Sequence, residues 1–185
     1  MSFISYNTTS NKNHGVVITM SQSEKMKKAL NEYVIPELKA NGFCGEHPTY
    51  RRVCDDRIDI ICFAPCKYGN AFYVDVSTVF PSRPREEQNV HKFFDGDFDN
   101  VTTGDCRDMK RLSGNFGDQF FYTDVYFCWG YYLGVSENNK TFKPVFPDFR
   151  VQKATPDIYK KVCDIVNKRM KRAYRYWDRM SKKYK

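Results

Sequence analysis

No stretch of this sequence approaches the ~18 uninterrupted apolar residues of a membrane-spanning helix, so no membrane partner is expected. Met1 to Thr9 lack a basic start followed by an apolar run, which reads as no secretory signal and points to the cytoplasm. Histidine is scarce: His14, His47 and His91 are the only three, far apart in the chain. There is no His-Cys-Asp grouping at nucleophile spacing, no Gly-x-Ser-x-Gly and no glycine-rich phosphate loop. These absences give no catalytic residue and no cofactor to name, and they weigh against an enzyme, although triads assemble in space rather than in sequence. No internal repeat is present.

Cysteine is plentiful but does not form a pattern. Cys44, Cys54, Cys62, Cys66, Cys106, Cys128 and Cys163 are odd in number and irregular in spacing. A chain that is not exported keeps its thiols reduced, and a free cysteine within a strand or helix behaves as a small apolar residue. Cys62 and Cys66 flank Pro65 four residues apart, which is neither a redox pair nor half of a zinc ribbon. Asp95-Gly96-Asp97-Phe98-Asp99 opens like a calcium loop, with acids at positions one, three and five. Position six is Asn100 rather than Gly and position twelve is Cys106 rather than Glu, so the expectation is a solvated acidic loop with no metal. Such a loop is free to lie against a basic helix.

Aromatic and apolar side chains are abundant. Hydrophobic residues make up 41% of 185, with 15 Phe and 13 Tyr, enough for one domain with a substantial core. The net charge of +8 is unevenly placed. Arg150 to Lys185 hold 13 Lys+Arg against three Asp, while the remainder is slightly acidic. The basicity therefore belongs to the last element.

Residues 1–20, rich in Asn, Ser and Thr, read as a loose leader, with Val16-Val17-Ile18 a short apolar run. Residues 21–185 read as a single α+β domain. Ser21 and Glu24 have capping-box spacing, and Met26, Leu30, Tyr33, Val34 and Leu38 recur at helical intervals. Gly42 stops that helix, and Pro36 demands a kink or two abutting helices. Thr49 to Cys54 and Arg57 to Phe63 flank Asp55-Asp56 as a hairpin turn, which sets Arg52 opposite Asp59. Ala71 to Phe80 alternates cleanly as a strand. Pro81 to Gly117 is irregular, with a short helix expected within Glu86 to Phe94. Strands are expected again at Gln119 to Trp129 and Tyr131 to Val135, the latter followed by a turn at Ser136 to Asn139.

Thr155-Pro156-Asp157 opens a final helix of about 156–184. Tyr159, Val162, Val166, Met170, Ala173, Trp177, Met180 and Tyr184 form an unbroken apolar stripe along it. Such a helix is roughly 40 Å long, so its end is expected to protrude or to pack on another chain, as in a homodimer. The architecture expected is an N-terminal helix, an antiparallel meander of about four or five strands, and a long amphipathic C-terminal helix on one sheet face.

Ile35-Pro36-x-Leu38, Gly42-Phe43, Thr49-Tyr50-x-Arg52, Ile58-x-Ile60-Ile61-x-Phe63 and Phe72-x-Val74-x-Val76 together resemble the bacterial domain-of-unknown-function family 4304. The resemblance covers roughly a third of the chain and is one of fold rather than catalysis; the leader and the acidic segment Asp95 to Asp108 do not match it. It implies a helix with an internal proline leading into a strand meander, in an uncharacterised cytoplasmic protein. Some relatives sit near toxin–immunity loci, which gives context for a partner without giving a mechanism.

Three functions are open at this point. The leading one is a non-enzymatic domain that binds a protein partner, in the family's context a toxin-neutralising one. Inhibitors that mimic nucleic acid are acidic, so a partner of this basic chain is itself acidic or meets the near-neutral body. The alternative is nucleic-acid binding through Lys168, Lys171, Arg172, Arg175 and Arg179, with Lys160, Lys161, Lys182 and Lys183 on the same basic face and Tyr176 as a stacking ring. The third is a small enzyme whose site gathers Arg52, Asp59 and Asp75 on a polar sheet face.

Overall fold

The computed structural model describes residues 20–67, 71–114, 117–122 and 157–184. The expected strand at Tyr131 to Val135, the turn after it, most of the strand from Gln119, and the cap at Thr155-Pro156 lie outside these residues. So do Cys128, His14 and all of the leader except Met20.

Helix α1 (Gln22–Tyr33) begins where its sequence says it should. Ser21 N–H donates to Glu24 Oε2 at 2.7 Å and Glu24 N–H donates to Ser21 Oγ at 3.2 Å, a closed capping box. Val34 ends α1 and caps α2 (Ile35–Ala40), so Pro36 falls in the first turn of a new helix, where no intrahelical N–H is needed. Gly42 then takes a φ of +84°, and Phe43 N–H closes back on Leu38 O at 3.1 Å.

Strands β1 (Cys44–Glu46), β2 (Thr49–Val53), β3 (Ile58–Pro65) and β4 (Ala71–Val79) follow as an antiparallel meander. The turn at Asp55-Asp56 sets the register, with Arg52 facing Asp59. β5 (Met109–Arg111) and β6 (Phe120–Phe121) both pair with β4, at Ser77–Asp75 and Phe72–Ala71. They are two pieces of one edge, separated by a loop pinched shut at its base. A Cβ on Gly114 would stand 1.9 Å from Gln119 O, so only glycine closes that loop.

Helix α3 (Ile158–Lys183) starts two residues later than expected, and Asp157 at its start makes no side-chain cap. Six of the eight residues of its apolar stripe are buried: Val162, Val166, Met170, Ala173, Trp177 and Met180 pack on α1 and on the sheet face formed by Tyr50, Ile61, Phe63, Phe72, Val74 and Val76, with Tyr159 and Tyr184 partly buried at the two ends. Tyr184 rests on Phe80 with ring centroids 4.5 Å apart. The helix therefore does not protrude: its apolar residues from Ile158 to Met180 lie within the core formed with α1 and the sheet.

The other sheet face is covered as well, by the irregular excursion from Pro81 to Asp108. Val90, Val101, Cys106, Phe94 and Phe98 pack on Ile58, Ile60 and Val79 there. Only a single 3₁₀ turn, Arg85–Glu87, stands where a helix was expected up to Phe94, because that segment's apolar residues are spread over a sheet surface rather than gathered into a helical stripe. The acidic loop lies on this face, so it does not lie against α3. Arg51, on the same face, donates to Val101 O at 2.6 Å and Asn100 O at 2.9 Å.

Asn89 fastens the excursion to the sheet. Buried, with a φ of 58° that asparagine tolerates better than most residues, it donates to Thr78 O at 2.7 Å and accepts from Asp108 N–H at 2.8 Å. Asn89→Ala strands both backbone groups in a dry site at about 1–3 kcal/mol each. The variant should lose about 2–5 kcal/mol in urea denaturation, whereas Gln88→Ala, whose amide reaches the half-buried loop carbonyls of Pro81 and Arg83, should lose about 1 kcal/mol.

Candidate functional site

Arg52 and Asp59, paired by the hairpin register, belong to a closed network. Asp59 is 0% exposed. Its carboxylate accepts from Arg52 Nη2 at 2.7 Å, Arg52 Nε at 3.2 Å, Arg57 Nε at 3.0 Å and Thr78 Oγ1 at 3.0 Å. The Arg52 guanidinium stands 4.9 Å from the Phe43 ring and 5.4 Å from the Trp177 ring. Burial works against the Arg57 charge, but Asp59 beside it outweighs that and holds the guanidinium above its usual range. Arg57 also donates to Ser181 Oγ at 3.1 Å, which ties the hairpin to the end of α3. With its acceptor sites filled, Asp59 has none left for a substrate.

Asp75 is not part of this network. Strand alternation puts it on the opposite sheet face, across from Cys62. There it takes a bidentate pair from Arg111 at 2.7 and 3.0 Å, and Arg111 in turn covers the Tyr73 ring at 4.1 Å. Among the described residues no histidine joins either carboxylate: His47 stands in the β1–β2 turn and His91 in the excursion. The residues named for a polar-face site therefore form two separate ion pairs, one structural and one at the sheet edge.

The cysteines and the acidic loop offer no chemistry in their place. The six described cysteines are free thiols. Burial pushes Cys106 up to about 11 and Cys163 up to about 12, so both stay protonated and unreactive. In the loop, Asp97 accepts from Asp99 N–H at 3.1 Å and from the Asn100 amide, turning its carboxylate onto its own backbone. Among the described residues no His, Cys, Asp and Glu group could hold a metal.

A site does form between the β5 edge and the C-terminal half of α3. Two adjoining cavities of about 520 and 530 Å³ share Lys110, Arg111, Tyr176 and Arg179. One extends past Lys183 and the other past Arg172 and Arg175, so together they make a continuous open trough. Arg172, Arg175, Arg179 and Lys183 recur at gaps of three, four and four along one side of α3, a spacing that stacks them in a row. Among the described residues, these four and Lys110 have no carboxylate partner within 4 Å, and Arg111 has Asp75. Among the described residues the only acid in the lining is Asp108.

Of the five α3 residues expected to bind, Arg172, Arg175 and Arg179 line this trough; Lys168 and Lys171 are exposed but do not. Lys160 and Lys161 are turned instead to Asp164 and Asp157 one turn away. Lys110 and Arg111 are additions from a segment that reads as irregular, where Asp105 and Asp108 mask a local basic signal. Tyr176 does not present a free ring. It is buried, its hydroxyl donates to Asp108 O at 3.3 Å, and burial pushes that hydroxyl up to about 12.

Two predictions follow from the network and the buried tyrosine. Asp59→Ala leaves the half-buried Arg52 without a carboxylate and Arg57 with Asp56 alone, and should cost about 3–5 kcal/mol in denaturant unfolding; Asp56→Asn, at the more exposed of the two acids, should change stability by under about 1 kcal/mol. Tyr176 keeps its proton in the fold above the pH at which an unfolded tyrosine loses it. Its contribution is therefore whole below about pH 10 and fades as pH climbs toward about 12. A Tyr176→Phe variant should lack that part of the alkaline loss when melting is followed from pH 9 to 12.

Comparison with curated proteins and with solved structures finds no match. A family model described as Domain of unknown function (DUF4304) matches residues 16–124. The match runs from before α1 through the whole sheet, including the acidic excursion that the quoted motifs leave out, and stops short of α3. Spanning more than half of the sequence, it shows that the chain belongs to the DUF4304 family.

Proposed function

We propose that this protein is a non-enzymatic binding domain that captures an acidic partner in the trough between β5 and α3. One observation carries the reading: five cations with no carboxylate partner among the described residues converge on a single concavity. Uncommitted charge of one sign, gathered in a cleft, focuses the field and speeds encounter with the opposite sign. Outside the row on α3, Arg51 and Arg107 are held by backbone carbonyls, Arg52 and Arg57 by Asp59, Arg83 by Glu87 and Arg111 by Asp75.

The reading suits a toxin-neutralising role only if the partner presents an acidic surface. A nuclease's own substrate site is basic and would be repelled. A site on the polar sheet face has no comparable support, since Asp59 and Asp75 are each saturated by arginine.

Elution from heparin-agarose in a salt gradient tests the reading. The double variant Arg175→Glu/Arg179→Glu should leave the resin at markedly lower salt than the parent. Lys25→Glu/Lys39→Glu, which changes net charge equally on exposed positions of α1 and α2, should elute close to the parent. Equal shifts for the two variants would mean that net charge acts rather than the trough, and the proposal would fall.

A further inference from the structure

We infer that the trough's occupant is the phosphodiester backbone of duplex nucleic acid, held without reading the bases. The inference rests on the polyanion reading above and gives its partner a chemistry. Three observations lead there.

The first is the balance of the lining. Protein–protein interfaces are depleted of charge at their centres and anchored by aromatic or aliphatic side chains in dry pockets. Here the centre is itself charged: Lys110, Arg172, Arg175, Arg179 and Lys183 surround it, the apolar members Tyr176, Met180 and Leu112 are already buried in the fold, and of the apolar lining only Met109, 42% exposed, is open to a partner. A surface that is strongly cationic, with one exposed methionine and no dry apolar pocket among the described residues, matches nucleic-acid interfaces better than peptide grooves.

The second is spacing. From Arg172 to Lys183 the row advances roughly 16 Å along the α3 axis at ~1.5 Å per residue. Gaps of three and four residues keep a cation facing the trough at every turn. A phosphodiester chain offers one charge per nucleotide along an unbroken line, so each cation in the row meets an anion. Guanidinium forks grip phosphate oxygens in pairs.

The third is what the aromatic rings are doing. Single-strand binders stack bases on open aromatic faces. Tyr176 is buried with its hydroxyl on Asp108 O, and Arg111 covers the Tyr73 ring at 4.1 Å. Among the described residues the trough therefore offers phosphate contacts and no stacking platform, which favours a duplex whose bases stay paired. Contacts to phosphate position a protein on nucleic acid but carry no sequence information.

Fluorescence anisotropy with two labelled 20-base-pair DNA duplexes of unrelated sequence, a 20-nucleotide single strand, and poly-L-glutamate as competitor decides the matter. The parent protein should bind both duplexes within about twofold of each other. The slope of log affinity against log salt should be about −4 to −5, from five cations at about 0.9 each. Between 50 and 200 mM salt that is a loss of about five-hundredfold. Arg175→Ala/Arg179→Ala should reduce the slope by about two, while Arg175→Lys/Arg179→Lys, which keeps both charges, should retain it. An unchanged slope in the alanine variant would place binding elsewhere and overturn the inference. So would tighter, base-dependent binding of the single strand. Displacement from heparin by poly-L-glutamate with no duplex binding at 50 mM salt would overturn the nucleic-acid assignment and leave the polyanion reading standing. No binding of either polymer would sink both.

Discussion

A single carboxylate sets the geometry on which the rest of this fold depends. Asp59 sits at 0% exposure, so its charge is tolerable only because Arg52, Arg57 and Thr78 fill its acceptor sites. Each arginine then reaches on to α3. Arg52 lies against Trp177 and Tyr174 as well as Phe43, and Arg57 bonds Ser181. Trp177 adds a bond of its own, donating from Nε1 to Ser77 O at 2.9 Å. The helix is thereby pinned in rotation and not only in position. A residue steps about 100° around a helix axis, so a register error of one would carry Arg172, Arg175 and Arg179 away from the β5 edge. The trough exists because buried polar contacts index a helix that apolar packing alone would hold more loosely.

That indexing explains the division of the chain's positive charge. Arg51 is spent on two carbonyls of the excursion, Arg52 and Arg57 on Asp59, Arg111 on Asp75, and Lys160 and Lys161 on their own helix neighbours. Each of those arginines holds two pieces of the fold together, and the two lysines brace the first turns of α3. The row on α3 is different in kind. Its three guanidiniums and one ammonium add little to stability in water, where even exposed ion pairs are worth well under ~1 kcal/mol, and a sequence shaped only for folding has no use for four cations on one line. Their contribution is to the electrostatic field of the surface.

Much of the fold was legible because it follows from local rules. The Ser21–Glu24 box, the Gly42 stop, the Pro36 break, the Arg52–Asp59 register and the α3 stripe each follow from a few adjacent residues and come out in the structure as read. What was not legible depends on long-range placement. Pro81 to Asp108 carries Val90, Phe94, Phe98 and Val101 at no regular period, because these side chains are distributed over a sheet face rather than along an element of their own. β5 is three residues long and takes its strand character from pairing with β4. Lys110 and Arg111 consequently read as part of a mixed-charge loop, and half of the candidate site was hidden. Asp75 was placed with Arg52 and Asp59 by type, although the alternation of β4 already put it with Tyr73 and Ser77 on the other face.

The trough is also composite in a way that bears on what the family fold contributes. The matched stretch, residues 16–124, holds 14 Lys+Arg against 17 Asp+Glu, so by charge it has no affinity for an anion. It supplies one wall, the β5 edge, and the Asp59 anchor that orients whatever packs on the sheet. The other wall is α3, which begins beyond the match and carries most of the free cations. A DUF4304 sheet packed under a neutral helix would keep every buried contact described here except those made by α3 itself, and would have no trough of this sign. The scaffold and the charge are therefore separable. The fold determines where an anion would sit, and the sequence of one helix face determines whether this chain can attract it.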